Sequence, residues 1–484
     1  MGDRVGEIRP NFNGSLHVEG RDERLSSDGG VVLLREIDDL VGLCNYLAEK
    51  LKDPRDPDKI THPLVELLRT RLYLLIQGRR DQDDADTLRN DPAYRLAVSK
   101  RRGVAPLQAA RVDELGKKCQ PEGLASQPTL SRLNQLVADA DHRGVLRETL
   151  CKFAVDRILA ANGGRKHKSL GIDVDSIPIE VYGEQPGSAY NGHYEARIYH
   201  PLLASVAETG DILDVVLRRG NVHTADDSLD FILAILEKMK EACQSAFLRI
   251  DAGFPEEKLL SSAEDQNTRY VARLKNNAVL NRMAEPYINR PVGRPTKKLR
   301  TWFYEMKYRA ESWSRSRRVV LVVQEKANEL FLHHFWLLTN CSKKRKSGEV
   351  LLKMYRERGT AEGHQGEFKD VLAPALSSSP RSKQTYRGQL IRRRTRPVDA
   401  FAQNEATLLL NALAYNLAHT GRVLVEKVTG EGWSLKRFRE RVLLAASRIT
   451  THSNRVTMVI GEIARKVWQA LWPVLVDFQP TPSQ

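Results

Sequence analysis

Apolar and polar positions change their period three times along the chain. Residues 1 to about 165 follow mostly helical spacing, and the largely apolar stretch from Pro63 to Gln77 predicts a buried helix. A second helical block starts near Ser126, which can cap it, with Pro128 tolerated in the first turn. After Gly163-Gly164 the period shortens to two: Leu170, Ile172 and Val174 alternate with Asp173 and Asp175, as in a strand. Strands are predicted at Leu202 to Val206, Ile212 to Leu217, Ala246 to Asp251 and Tyr270 to Leu274. Between the second and third of these lies a helix carrying Leu229, Ile232, Leu233, Leu236 and Met239, with Thr224 and Asp227 spaced as a capping box. From about 278 to 346 three β-rich, aromatic segments follow: Trp302 to Met306, Arg318 to Gln324 and Leu330 to Leu338. Helical spacing then returns, in a helix opened by Ser347, in an apolar one from about 398 to 427, and through the last sixty residues. Strands followed by helix and strand again predict an α/β fold with a mixed sheet.

Charge narrows the partner. The formal net charge is +15 over 484 residues, which points to a polyanion, most often nucleic acid. Basic clusters at Lys100–Arg102, Lys117-Lys118, Arg294–Arg300, Lys343–Lys346 and Arg392–Arg396 lie between structured segments, as several DNA contacts along one surface would. Five scattered cysteines without Cys-x-x-Cys read as reduced thiols, neither a disulfide frame nor a zinc site. No apolar run is long enough to span a bilayer, and the N-terminus lacks the apolar core of a secretory signal. Without Gly-x-x-x-x-Gly-Lys, ATP is not implied.

The chemistry concentrates on few residues. Tyr355, Arg358, Glu362 and Lys369 are spaced Tyr-x2-Arg-x3-Glu-x6-Lys. At ~100° per residue an α-helix gathers them into a stripe ~60° wide. One acid among a phenol and two cations suits a site that holds a metal ion and grips phosphate. Two more acids sit on strand-like segments, Asp251 in Phe247–Phe254 and the first acid in Leu170–Ile177, where Asp173 and Asp175 point to the same face. Three carboxylates of this kind are the parts of a two-metal phosphodiester site, its ions about 3.5–4 Å apart. Mg²⁺ suits it because that ion accepts carboxylate oxygens yet keeps waters and substrate oxygens. Gly359, Gly363 and Gly366 interrupt the same helix beside the stripe, a cost of ~1 kcal/mol each that close approach of a DNA strand would explain. Val292-Gly-Arg-Pro295 has the form of a minor-groove hook, although a flexible basic loop is the commoner reading. Trp302, Trp313 and Trp336 are candidates to stack on a flipped base, with core packing as the default for each.

Taken together these motifs resemble the DDE transposases of bacterial insertion sequences, in the subclass with the Tyr-Arg-Glu-Lys signature. The resemblance covers most of the chain and includes Ser27–Leu34, Asp83–Pro92, Leu124–Arg132, Tyr199–Leu202, Leu217–Asn221 and Arg249–Phe254. It implies a ribonuclease-H-like catalytic core interrupted by a β-rich insertion, with helical N-terminal and C-terminal regions. It implies Asp175, Asp251 and Glu362 as the metal-binding triad, two Mg²⁺ ions that Mn²⁺ can replace, and phosphate contacts from Tyr355, Arg358 and Lys369. Asp175 is favoured over Asp173 because Ser176 follows it, although many relatives carry Thr-Thr or Ser-Thr where this chain has Ser176-Ile177.

The expected layout is a helical DNA-binding region at 1–165, the core at 166–277 and 347–420, the insertion at 278–346, and a helical region at 421–484 as a candidate for dimerisation. The expected activity is cut-and-paste transposition. Water cleaves double-stranded DNA at terminal inverted repeats, and the freed 3′-hydroxyl attacks target DNA, within a homodimer acting in the bacterial cytoplasm at the nucleoid. Two other readings stay open: a ribonuclease-H-like nuclease without strand transfer, and a catalytically inactive DNA-binding regulator.

Overall fold

The computed structural model describes residues 10–13, 15–108, 123–290, 292–293, 296–378, 385–386, 389–390 and 399–477. Its contacts divide the chain into two compact units: Met1–Cys44, Asp53–Leu130 and Thr420–Gln484 form one, Asn45–Lys52 and Ser131–His419 the other.

In the first unit, every residue of the helix Leu64–Ile76 is buried, as its apolar run predicts. Its polar residues are paired: Arg69 and Tyr73 reach the buried Asp38, whose other oxygen accepts from the Cys44 amide. A three-stranded antiparallel sheet joins Arg24–Ser26, Ser447–His452 and Arg455–Ile460. The hairpin is a β element within a C-terminal region whose other described elements are helical. Its β-branched run, Ile449-Thr-Thr451, turns through Ser453 at φ 51°, and only two residues separate the paired His452 and Arg455.

The second unit is built on an eight-stranded mixed sheet. Its strands are β1 (Leu170–Ser176), β2 (Leu202–Val206), β3 (Ile212–Val216), β4 (Ala246–Ile250), β5 (Arg269–Leu274), β6 (Arg300–Tyr308), β7 (Arg317–Glu325) and β8 (Leu332–Thr339). The order across the sheet is β3-β2-β1-β4-β5-β8-β7-β6. Strands β1, β4 and β5 run parallel; β2 is antiparallel to β1, and β3, antiparallel to β2, runs in the direction of β1 again. The segments expected as a β insertion extend this same sheet, because β8 pairs antiparallel with β5. Three short strands, Ile179–Glu180, Ala189–Asn191 and Ala196–Tyr199, form a separate small sheet between β1 and β2 that the sequence pattern did not announce.

Each face of the large sheet has its own role. Leu170, Ile172 and Val174 of β1 pack with Cys151–Ile158 of helix α1 (Ala140–Ala161), with α2 (Ser228–Met239) and with α3 (Glu257–Asp265). The predicted capping box does not form on α2: Asp227 lies in the left-handed region at φ 56° and makes no side-chain cap. On the opposite face Phe247, Val271, Val320, Val322 and Leu337 receive Leu351 and Leu352 of α4 (Gly348–Arg356). Ser347 caps α4 through the Val350 amide, as predicted. Period two therefore puts Asp173 and Asp175 on the α4 face. Helix α5 (Arg358–Glu367) follows after a break at Glu357 and ends in a π-helical turn, Phe368–Leu372. Asn416, in the long helix α6 (Ala400–Thr429), closes the free edge of β3 by accepting from the Ile212 amide and donating to its carbonyl.

Candidate active site

Register brings the first two acids together. Asp173 lies opposite Arg249 and Val174 opposite Ile250 in the parallel β1–β4 pair. The next position on the same face carries Asp175 on β1, and Asp251 directly follows β4. Both acids therefore stand at the carboxyl ends of parallel strands, where open α/β sheets bind ligands. Glu362 reaches the place from the middle of α5.

The Arg358 guanidinium joins all three. It donates to Asp175 at 2.5 Å and to Glu362 at 3.2 Å, and lies 4.0 Å from Asp251. Its side chain is 12% exposed, against 18% for Asp175, 44% for Asp251 and 59% for Glu362, so the cluster opens to solvent on the side of the last two. Burial alone would depress the guanidinium, but Asp175, Asp251, Tyr355 and Glu362 hold it above its ordinary value. Burial raises the Tyr355 phenol, while Arg358 beside it lowers it and Asp251 raises it.

Tyr355, Arg358, Asp175, Asp251 and Glu362 thus form one cluster. Lys369 stands apart, exposed in the π-helical turn, because the break at Glu357 and that turn depart from the straight helix that would align all four signature residues. Among the described contacts none links Lys369 to the acids.

Asp173 has a different environment from Asp175. It is 1% exposed, and both its oxygens accept from Arg249, each at 2.5 Å. Asp175 keeps one oxygen on Arg358 and the other on the Ser176 amide. Arg249 and the small-sheet residue Tyr194 are the neighbours that sequence reasoning missed. Burial, then the charges of Asp175 and Asp251, raise the Tyr194 phenol, and its ring lies 5.8 Å from that of His200. The only sequence signal for Arg249 was its spacing: Arg249-x-Asp251 repeats the i, i+2 interval of Asp173-x-Asp175.

Other candidates fall away from this cluster. Trp336 and Trp313 are core residues and Trp302 packs against the same core. Arg294 and Pro295 of the hook, the Lys117-Lys118 pair and the 392–396 cluster lie outside the described residues. Among the described residues no helix is long and apolar enough to cross a membrane.

Burial pushes the Asp175 carboxyl up to about 6 from its ordinary 3.8, with Arg358 opposing and Asp251 and Glu362 adding to the rise. The folded protein therefore binds this proton more tightly than the unfolded chain does. The stabilisation is fully present below the unfolded value and is lost as pH rises to about 6, a change of roughly 3 kcal/mol. In metal-free protein the urea midpoint of Asp175→Asn, compared with wild type from pH 4 to 7, should lack this decline. Parallel curves for the two proteins would contradict the assignment.

The donor set suits a hard divalent cation: three carboxylates, from two strand ends and a helix, all reach one cationic group. As the side chains stand, no three His, Cys, Asp or Glu among the described residues are grouped closely enough to hold an ion, and the guanidinium occupies the centre of the acids.

Residues 8–387 match the family model described as transposase DDE domain group 1. No curated protein matches the chain. A solved piggyBac transposase synaptic complex with hairpin DNA is similar at 11% identity and a TM-score of 0.40, over 95% of this chain and 87% of that one. With the family model spanning well over half of its length, the chain belongs to the DDE transposases of domain group 1.

Proposed function

We propose that the protein is the cut-and-paste transposase of a bacterial insertion sequence, of the Tyr-Arg-Glu-Lys subclass, cleaving double-stranded DNA at terminal inverted repeats and joining the 3′ end to target DNA. The observation that carries this reading is the convergence of Asp175, Asp251 and Glu362 on the single guanidinium of Arg358. The order β3-β2-β1-β4-β5, with β1, β4 and β5 parallel, supports a ribonuclease-H-like core made of 166–277 and 347–420, extended by the strands of 278–346. In this reading 1–165 and the basic segments hold DNA, and 421–484 serves a homodimer that pairs two ends in the bacterial cytoplasm, at the nucleoid.

Asp175, Asp251 and Glu362 would hold two divalent ions, Mg²⁺ with Mn²⁺ as a substitute. Such ions activate the attacking oxygen and stabilise the leaving one. The full pairing of Asp173 with Arg249 supports Asp175 as the first of these acids. Arg358 balances the acids in the free protein, and with Tyr355 and Lys369 it grips phosphate when DNA arrives. Binding should weaken steeply with salt as phosphate counterions are released.

The glycines of α5 support close approach. A Cβ added at Gly359, Gly363 or Gly366 would meet no heavy atom within 4 Å. Gly363→Ala should therefore stabilise the free protein by about 1 kcal/mol and yet slow DNA cleavage. A variant that gained stability and kept full cleavage would remove the close-approach role.

The activity is tested with DNA carrying the element's own ends and Mg²⁺. Metal-dependent cutting at the repeat boundary, followed by joining to a target, is expected. Cutting without joining would favour the nuclease, and tight binding without any chemistry the inactive regulator.

A further inference from the structure

We propose that Arg249 is a positioning residue that fixes the third acid relative to the first two, an inference that rests on reading Asp175, Asp251 and Glu362 as the metal-binding acids. Arg249 is 3% exposed and uses all three arms of its guanidinium. Nε and Nη2 donate to the two oxygens of Asp173, and Nη1 donates to the Met354 carbonyl at 2.9 Å and lies 3.8 Å from Glu357. Each contact leads to one acid. Asp173 is two residues before Asp175 on β1. Arg249 is itself two residues before Asp251 on β4. Met354 and Glu357 flank the end of α4, directly before the helix that carries Glu362.

The clamp sits at the joint between α4 and α5. Leu351 and Leu352 fasten α4 to Phe247 on β4, Val271 on β5 and Val320, Val322 and Leu337 further along the sheet. Beyond them the helix breaks at Glu357, and α5 is largely exposed on the side of Gly359, Thr360, Glu362 and Gly363. The Arg249–Met354 bond ties the end of α4 to the acid-bearing strands, on the other side of the joint from the Arg358–Asp175 pair. A planar guanidinium can serve two oxygens of one carboxylate and a third acceptor at once; a lysine ammonium cannot reproduce that fork. Asp173 in turn keeps the buried charge paired, so its role is to hold Arg249.

Arg249→Lys and Asp173→Asn test the assignment by hydrogen exchange and by cleavage kinetics on end DNA with Mg²⁺. In Arg249→Lys, amides of residues 354–367 should exchange at least about tenfold faster while 170–176 and 246–250 keep their protection. Its kcat should fall by about 10²-fold, the scale of a 1 Å misplacement, with KM for end DNA within about twofold of wild type. Asp173→Asn, which leaves the arm to Met354, should show the same changes in smaller measure. If Arg249→Lys does not fold, the neutral pair Asp173→Asn/Arg249→Met, which leaves no unpaired buried charge, should show the faster exchange and the kcat loss. Unchanged exchange in 354–367 would overturn the clamp whatever the chemistry does. A kcat loss that only tracked the folded fraction would overturn positioning in favour of plain stability. Faster exchange in the variants, with wild type showing no metal-dependent cleavage, would sink the catalytic reading and the positioning role with it.

Discussion

Asp175→Ala, Asp251→Ala and Glu362→Ala should each lower DNA cleavage by about 10³-fold or more, the equivalent of roughly 4 kcal/mol of transition-state stabilisation. Each removes one third of the carboxylate set that meets at Arg358. The three losses should not add: a double variant should be about as inactive as either single one, because groups acting as a unit fail together. End-DNA binding should survive in all three, since phosphate contacts and not these acids supply affinity. Stability separates the three. Asp175 is the most buried and its carboxyl is pushed up to about 6, so Asp175→Asn should be neutral or stabilising near neutral pH, whereas Asp251 and Glu362 are partly exposed and their loss should cost little. Single-turnover cleavage and thermal melts of the same preparations check both parts. An Asp251→Ala or Glu362→Ala enzyme retaining near wild-type cleavage would exclude that residue from the chemistry.

Removing the central cation should have the opposite signature. Arg358→Gln leaves three carboxylates facing one another without a balancing charge. Breaking a buried pair costs about 3–5 kcal/mol. Two of the acids here are partly solvated, which reduces the figure to roughly 2–3 kcal/mol. Melting should therefore drop by several degrees in metal-free buffer. Millimolar Mg²⁺ or Mn²⁺ should recover most of that loss and raise the melting temperature of Arg358→Gln more than that of wild type, because cation and guanidinium compete for the same oxygens. Cleavage should stay impaired even with the fold restored, since the phosphate contact is gone. An equal response of both proteins to the cation would contradict the proposal that Arg358 stands among metal-binding oxygens.

The sequence carried most of what depends on short-range pattern. Alternation at Leu170, Ile172 and Val174 predicted both the strand and which face its aspartates take, and Ser347 marked the start of α4. Features that depend on pairing over distance were not legible. Asp173 meets Arg249 across 76 residues through strand register, which no local period encodes. Nothing in the period told that β8 would pair with β5 and carry the aromatic strands into the main sheet. The small strands at 179–199 are two to four residues long, too short for alternation to register. The break at Glu357 and the π-helical turn at Phe368–Leu372 change only which backbone groups bond, so an ideal-helix reading aligned Lys369 with the other three signature residues where the structure does not. Arg358 shows the same limit in charge: its spacing marked it as a phosphate contact, while the fold of the free protein sets it against Asp175 and Glu362.

Strand transfer tests the central claim most directly. Wild type and Glu362→Gln would be incubated with Mg²⁺, a supercoiled plasmid and a pre-cut duplex ending in the terminal repeat with a free 3′-hydroxyl. Joined products from wild type, absent without the metal and absent in Glu362→Gln, are the predicted result. Plasmid left unjoined by wild type that binds the pre-cut end would contradict the account.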